Sequence, residues 1–191
     1  ALVDQHQGPQ DGSSAGTSAG PHGSLGEFID SRQIECLNQS DDHTVNSIFG
    51  KDAKQYLESD VDEQLILVVP FNQVVKVHSF TISGPKDKAP RTIKTFINRP
   101  TTLSFDEADS IEPIEVIDLA PLYTPADGDL VTATVQLRFV KYQSVQSITF
   151  FVGQNLETTE TTVISKLVLF GTPVEVTKNL AELKNEHNHD H

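Results

Sequence analysis

The sequence predicts an all-β protein, an antiparallel β-sandwich, on the strength of three observations. Short apolar runs rich in Val, Ile and Phe recur between residues 64 and 170, and several show the alternation of a half-buried strand. Turn signals separate these runs, as at residues 84–85, 127–129 and 153–155. No long helical pattern lies between them, so the strands are expected to pair as antiparallel neighbours in two packed layers.

The first predicted strand, residues 64–71, is a short run of β-branched and other apolar residues. The next, residues 74–83, changes phase after Val77, which indicates a β-bulge or a strand buried on both faces. Further strands are predicted at residues 91–98, 134–142, 147–152 and 162–170, and short helices at residues 46–49, 105–108 and 180–185.

Two polar segments flank the predicted domain. Residues 1–26 hold six of the eleven glycines and no Lys, Arg, Phe or Tyr, a composition that predicts a flexible linker. The first six residues resemble the end of a helix, which leaves open either a preceding domain or a natural disordered N-terminus. The folded domain is predicted over residues 27–177, and residues 178–191 are predicted to form a polar, His-rich, mobile tail.

The charge and the cysteine count exclude several classes of protein. The chain carries 14 Lys and Arg against 27 Asp and Glu, a net charge of −13, of which −10 lies on residues 27–177. Nucleic acids and anionic membranes both attract clustered basic residues, so neither is an expected partner. One cysteine excludes an internal disulfide and a Cys-rich zinc site. With no signal peptide and no membrane-spanning apolar run, a soluble, reducing compartment is expected.

No catalytic site and no cofactor is predicted. Cys36 lies between an acidic and an apolar residue, surroundings that raise a thiol pKa, so a packed structural cysteine is favoured over a nucleophile. His78 lies within a predicted strand and is interpreted as structural. The sequence has no P-loop or dinucleotide-binding motif, and no GxSxG elbow between a predicted strand and a helix. Residues 127–129 are interpreted as a turn and not as a calcium loop.

An acidic cluster is the first candidate binding site. Four carboxylates lie within six residues, those of Glu58, Asp60, Asp62 and Glu63. Three alternatives are open for this cluster: a solvated loop, a site for a basic partner, or a site for a hard cation. A second acidic patch at residues 106–112 has the same ambiguity.

The tail is the second candidate site, because the chain ends with His187, His189 and His191. Neutral imidazoles are good zinc ligands, and alternation on a mobile tail lets them converge on one ion. The tail either binds a metal, in this chain or in a partner's site, or is a solvated end.

A series of short segments, in order along the chain, carries a resemblance to a known family. The segments are ECLNQSDDH (residues 35–43), LESDVDEQL (57–65), FINRP (96–100), LRFVKYQ (137–143), TTVI (161–164) and GTPV (171–174). Together they resemble the PITH domain, the proteasome-interacting thioredoxin domain, over residues 28–184. The departure is mild: the family's usual Thr-Asn-Met after Pro173 is Thr-Lys-Asn-Leu from residue 177 onward.

The resemblance implies a jelly-roll, galactose-binding-like β-sandwich without enzymatic activity of its own. In this family the domain follows a thioredoxin domain and a linker, and it associates with the regulatory particle of the 26S proteasome. We therefore expect a monomeric, non-catalytic adaptor of the cytoplasm and nucleus that tethers a thioredoxin domain to the proteasome. The acidic cluster and His191 are its candidate contacts, with the zinc deubiquitinase of the lid as a candidate target. A carbohydrate- or small-ligand-binding module is the alternative, since the fold class hosts many.

Overall fold

The computed structural model describes residues 22–175, and within them β-strands dominate. The strands are β1 (Gly23–Ser24), β2 (Glu35–Leu37), β3 (Leu57–Glu58), β4 (Leu65–Pro85), β5 (Pro90–Ile97), β6 (Glu115–Asp118), β7 (Tyr123–Pro125), β8 (Leu130–Gln136), β9 (Val145–Asn155), β10 (Val163–Ile164) and β11 (Lys166–Pro173). The helical segments are α1 (Phe105–Ser110) and 3₁₀ turns at Gly26–Phe28, Val45–Ile48, Ala120–Leu122 and Phe139–Lys141. All strand pairings are antiparallel, so the predicted fold class is confirmed.

The 21-residue strand β4 connects the two layers of the sandwich. Its first half pairs with β2 and β9, and β9 continues this layer through β5 to β6. Its second half pairs with β11 and β8, which carry β1 and β7 on their outer sides. The pairing with β9 shifts register between Pro70 and Val75, and this irregularity separates the two halves.

One continuous apolar core fills the space between the layers. Leu65, Leu67 and Val69 enter it from the first half of β4, and Phe80 and Ile82 enter it from the second. All five side chains are buried, and each contributes on the order of 2 kcal/mol through loss of contact with water. Because both halves of one strand supply this core, β4 fixes the two layers against each other.

A smaller apolar cluster covers the outer face of the first layer. It consists of Ile66, Phe96, Leu103, Ala108 and Phe151. The short helix α1 forms part of this cover, and its start is fixed by a capping box: Ser104 Oγ accepts from the N–H of Glu107, whose carboxylate accepts from the N–H of Ser104. Strands β5 and β9 are therefore buried on both faces. Their sequences agree with this, because apolar residues occupy both of the alternating positions along each strand.

The phase change predicted within residues 74–83 is a β-bulge at His78. Gly171 of β11 lies opposite Val77, while the preceding residue of β11 lies opposite residue 79, so His78 has no partner in this pairing. The extra residue lets both Val77 and Phe80 face the core. Glycine is required opposite the bulge, because a Cβ atom on Gly171 would lie 1.9 Å from the backbone oxygen of Lys76.

The strand predicted over residues 134–142 is wrong in its second part. Strand β8 ends at Gln136, and a 3₁₀ turn follows at Phe139–Lys141. The reason lies in the hydrogen bonds of β4 at His78 and Val77, whose partners are five residues apart. Leu137 N–H donates to the His78 carbonyl, and Val77 N–H donates to the Tyr142 carbonyl. The four residues between these two partners loop out as a turn.

The folded domain begins before residue 27, the boundary that the sequence predicts. Gly23 and Ser24 pair with β11, and the N–H of Leu25 donates to the Leu169 carbonyl at 2.8 Å. Leu25 is fully buried and is the one large aliphatic residue between residues 9 and 26. Residues 23–26 thus belong to the sandwich and not to the predicted linker. The rest of that linker up to residue 21, and residues 176–191, lie outside the described residues.

Candidate functional site

The acidic loop, residues 58–63, connects β3 to β4 and carries the predicted acidic cluster. The strand predicted at residues 162–170 is divided in the structure into β10 and β11. The first of these, β10, pairs with β3 in a small two-stranded sheet. At the tip of the loop, Val61 is 83% exposed. Asp60 and Asp62 beside it are exposed, whereas Glu58 and Glu63 are half-buried.

Asn38 holds the acidic loop in its conformation. Its amide nitrogen donates to Asp62 Oδ1 at 2.8 Å and to the Gln64 carbonyl at 2.7 Å. Its amide oxygen accepts from the N–H of Val61 at 3.1 Å, and its backbone carbonyl accepts from the N–H of Asp60 at 2.8 Å. Asn38 has a φ of 68°, a left-handed conformation that asparagine tolerates better than most residues. The loop is therefore ordered before any partner arrives, which lowers the entropic cost of binding.

The carboxylates of the acidic loop have different surroundings. Glu58 Oε2 accepts from the Thr161 hydroxyl at 2.9 Å and lies 3.5 Å from Lys88 Nζ, so its charge is partly balanced. Asp60 and Glu63 form no ion pair within the described residues. These two side chains, with Asp62, give the loop its negative surface.

The cation alternative for the acidic loop finds no arranged set of ligands. Among residues 22–175 there is no group of three or more His, Cys, Asp or Glu side chains placed to hold a metal ion. One oxygen of Asp62 instead accepts from the N–H of Gln64 at 3.0 Å as well as from Asn38. Asp62 thus helps to hold the loop in its conformation.

Two other acidic segments have local structural roles. In the patch at residues 106–112, Glu107 caps α1 and Asp109 lies 3.7 Å from Lys94 Nζ. Residues 127–129 form the predicted turn, which connects β7 to β8 with Gly128 at a φ of 61°. The turn is closed by a hydrogen bond of 2.9 Å from Ala126 N–H to the Leu130 carbonyl.

Cys36 is structural, as its neighbours in the sequence predict. It lies on β2 opposite Leu67 and packs against the main core. Burial raises the pKa of its thiol to about 12, so at neutral pH the thiol stays protonated and is a poor nucleophile.

The basic turn, residues 138–142, is a surface that the sequence reasoning assigns to a core strand. The sequence places its aromatic residues in a strand, yet Phe139 is 40% exposed and Val140 is 81% exposed; Tyr142 alone is buried. A signal was present in the charges: Arg138 and Lys141 are the only charged residues between residues 130 and 156. Apolar residues flanked by unopposed positive charge are typical of binding surfaces.

A surface cavity of about 410 Å³ lies beside the acidic loop, with Tyr56, Glu58 and Lys88 in its lining. The Tyr56 ring is stacked on His43, with ring centroids 4.0 Å apart. One face of this ring is therefore already covered. The cavity is a candidate small-ligand site among the described residues.

The predicted tail ligands His187, His189 and His191 lie outside the described residues. Their proposed metal or partner contacts therefore stay predictions. The helices of residues 22–175 are all too short or too polar to cross a membrane.

Comparison with solved structures finds the same fold in a lectin. An F-lectin (fucolectin) from striped bass serum superposes with a TM-score of 0.56 at 12% sequence identity, covering 84% of this chain and 52% of that one. At this identity the likeness concerns the fold alone. It agrees with the galactose-binding-like sandwich expected from the sequence.

Comparison of sequences identifies the family. Thioredoxin-like protein 1 of Schizosaccharomyces pombe is 45% identical over 169 residues, covering 85% of this chain but 57% of that protein's length. The PITH domain-containing protein CG6153 of Drosophila melanogaster is 38% identical over 91 residues, covering 44% of this chain and 43% of that protein. The sequence profile of the PITH domain matches residues 15–189. The chain therefore belongs to the PITH domain family.

Proposed function

We propose that this domain is a non-catalytic adaptor that binds the regulatory particle of the 26S proteasome and tethers a thioredoxin domain to it. Membership of the PITH family supports the first part. The likeness to a thioredoxin-like protein, of which this chain spans 57%, supports the second. In this proposal the adaptor acts as a monomer in the cytoplasm and nucleus.

The observation that carries the proposal is the ordered acidic loop. Its conformation is held by Asn38, and its carboxylates at Asp60 and Glu63 have no ion-pair partner within the described residues. A preorganised negative surface with an exposed apolar tip fits a basic surface on another protein. Charges of this kind raise association rates and make binding sensitive to salt.

The adaptor proposal is tested by immobilising purified 26S proteasomes and measuring how much of the full chain they retain at increasing salt concentrations. We expect retention at low salt and about tenfold weaker binding when Asp60→Asn and Glu63→Gln are combined, since both changes keep shape and remove charge. The matched control combines Asp106→Asn with Glu112→Gln in the other acidic patch, and it should bind like the parent chain. If the parent chain is not retained on proteasomes at any salt concentration, the proposal is wrong.

The tail has its own experiment, because His187, His189 and His191 are proposed to reach the zinc deubiquitinase of the lid. Deleting only His191 removes one imidazole and moves the terminal carboxylate. We expect this deletion to lower proteasome retention or to change deubiquitination rates. Unchanged values of both quantities would remove the tail from the proposed contact.

A sugar-binding module is the second candidate, favoured by the fold it shares with an F-lectin and by the cavity beside Tyr56. Against it, the Tyr56 ring is stacked on His43, and Tyr123 on β7 donates its hydroxyl to the Pro90 carbonyl. A glycan array probed with the full chain separates the two candidates. Binding that Tyr56→Ala abolishes would favour the sugar-binding module.

A further inference from the structure

A second surface, opposite in charge to the acidic loop, surrounds the bulge in β4. We call it the basic–aromatic patch, and it consists of His22, Lys76, His78, Arg138, Phe139, Val140 and Lys141. These residues come from three separate parts of the chain: the segment before β1, the second half of β4, and the basic turn. The described fold therefore assembles the patch, and no short stretch of sequence contains it.

Three stacked rings form the centre of the patch. The ring of His78 lies between those of His22 and Phe139, with centroid distances of 3.3 Å and 4.1 Å and interplanar angles of 8° and 18°. The bulge makes this arrangement available, because His78 is the residue left without a partner in the pairing with β11. Phe139 at the end of the column keeps part of its ring exposed.

The basic turn that carries Phe139 and Val140 is rigidly attached. The carbonyl of Tyr142 accepts from the N–H of Val77 at 3.0 Å, and the Tyr142 hydroxyl forms a buried hydrogen bond of 2.7 Å with Thr95. Within the turn, the Phe139 carbonyl accepts from the side chain of Gln143 at 2.6 Å. An exposed apolar pair on so firmly held a turn is preorganised for contact, and little entropy is lost when it binds.

Basic side chains predominate among the charges around the patch. Residues 64–85, 130–156 and 166–174 contain four basic side chains and no carboxylate, although the domain as a whole is acidic. Glu115 is the carboxylate that contacts the turn, and its Oε1 accepts from the backbone N–H of Arg138 at 2.7 Å. Within the described residues, Lys76, Arg138 and Lys141 form no ion pair, whereas four other basic residues do.

We propose that the basic–aromatic patch binds an acidic peptide segment of a protein partner, with an aliphatic or aromatic side chain of that segment packed on Phe139 and Val140. Charge complementarity selects the acidic segment, since Lys76, Arg138 and Lys141 form no ion pair with any residue that the structure describes. The exposed ring and the exposed valine supply the apolar contact, as at the centre of typical interfaces. This binding does not depend on proteasome attachment through the acidic loop.

The test uses the full chain and a library of short peptides randomised over Asp, Glu, Leu and Phe, with a second library in which Lys replaces the acidic residues. We expect selective binding to the acidic library. Val140→Ser combined with Lys141→Gln should weaken that binding about tenfold, as a loss of a central apolar contact and a charge does. Both side chains are exposed, so circular dichroism should show an intact fold.

The matched control combines Val116→Ser with Lys54→Gln, an exposed valine and an exposed lysine outside the patch, and it should bind like the parent chain. Equal binding of both libraries, no binding of either, or equal loss in both variant pairs would overturn the proposal. So would a preference of the patch for a single-stranded oligonucleotide, or dimerisation of the chain that Val140→Ser abolishes. Proteasome retention that stays normal in the Val140→Ser, Lys141→Gln variant would show that the two surfaces act separately.

Discussion

The acidic loop and the basic turn both present an exposed valine, but different hydrogen bonds hold the two segments in place. Each presents a valine with more than four-fifths of its surface exposed. Val61 lies between two aspartates, whereas Val140 lies between Phe139 and Lys141. The tip of the acidic loop is held by the Asn38 side chain, and its two ends are held by hydrogen bonds between Ser59, Glu63 and Thr162. The basic turn is held by backbone hydrogen bonds to the bulged strand and by a buried tyrosine.

This difference shows that two surfaces of equal exposure have different sensitivity to mutation. Removing the Asn38 side chain should release the tip of the acidic loop and leave the core unchanged. Releasing the basic turn requires a change in the sandwich itself, because its attachment shares residues with the main core. Their opposite charges also allow one domain to contact a basic and an acidic surface at the same time.

The largest effect is expected from Gly171→Ala, which attacks the bulge on which the basic turn depends. The new Cβ atom would lie 1.9 Å from the Lys76 backbone oxygen and 3.1 Å from Leu25 Cδ1, so β4 and β11 must separate. We expect a loss of about 3 kcal/mol in the free energy of unfolding, measured by urea denaturation followed by circular dichroism. Far-ultraviolet signal is needed because the chain has no tryptophan.

Gly153→Ala is the control for this change. It also lies in a strand, but its Cβ atom would be 3.9 Å from Phe151 Cε1, the nearest atom outside its two chain neighbours, and this is an ordinary contact distance. Its stability should stay within about 0.5 kcal/mol of the parent protein. Equal stability of the two variants would mean that the bulge tolerates a side chain at residue 171 and that the basic turn is held less rigidly than proposed.

Asn38→Ala is expected to have the next largest effect, and it acts on the acidic loop alone. It removes the side-chain hydrogen bonds to Asp62, Gln64 and Val61 and leaves a strained φ of 68°. We expect a loss of about 2 kcal/mol and faster amide hydrogen exchange at Val61 and Gln64, with the basic turn unchanged.

Asn38→Gly separates the two causes of that loss, because glycine accepts the left-handed φ but makes no side-chain hydrogen bonds. Exchange at Val61 should be as fast as in Asn38→Ala, while part of the stability returns. Slow exchange at Val61 in both variants would contradict the view that this one side chain orders the acidic loop.

The bulge shows how far the sequence predicts this fold. Val77 and Phe80 face the same core although they stand three residues apart, and this phase change was visible in the sequence. The partner that makes it feasible, Gly171, lies more than ninety residues away, and no local pattern connects the two. Strand positions follow from local periodicity, whereas the pairing between distant strands does not.

The same distinction explains what was missed in the candidate sites. The acidic cluster is contiguous, so composition reveals it, but its order depends on Asn38, twenty residues or more before it. The turn at residues 138–142 alternates like a strand, and only its attachment to the bulge at His78 exposes Phe139. The polar neighbours of Leu25 predict a linker. In the structure, pairing of the preceding residues with β11 places Leu25 in the core.

The smallest effect concerns the protonation of His78 at the centre of the basic–aromatic patch. Partial burial, the neighbouring His22 and the charge of Lys76 lower the pKa of His78 below its ordinary value of 6.5. The folded state therefore binds this proton less tightly than the unfolded chain does. The stabilising contribution of neutral His78 is complete above pH 6.5 and is lost as the pH falls through the lowered pKa of the folded state.

A histidine NMR titration of His78 should give a midpoint below 6.5. Lys76→Gln should raise this midpoint, whereas Lys54→Gln on the far loop should not. A midpoint at or above 6.5 would show that carboxylates balance the positive charges around His78. The contrast in charge between this patch and the acidic loop would then be wrong.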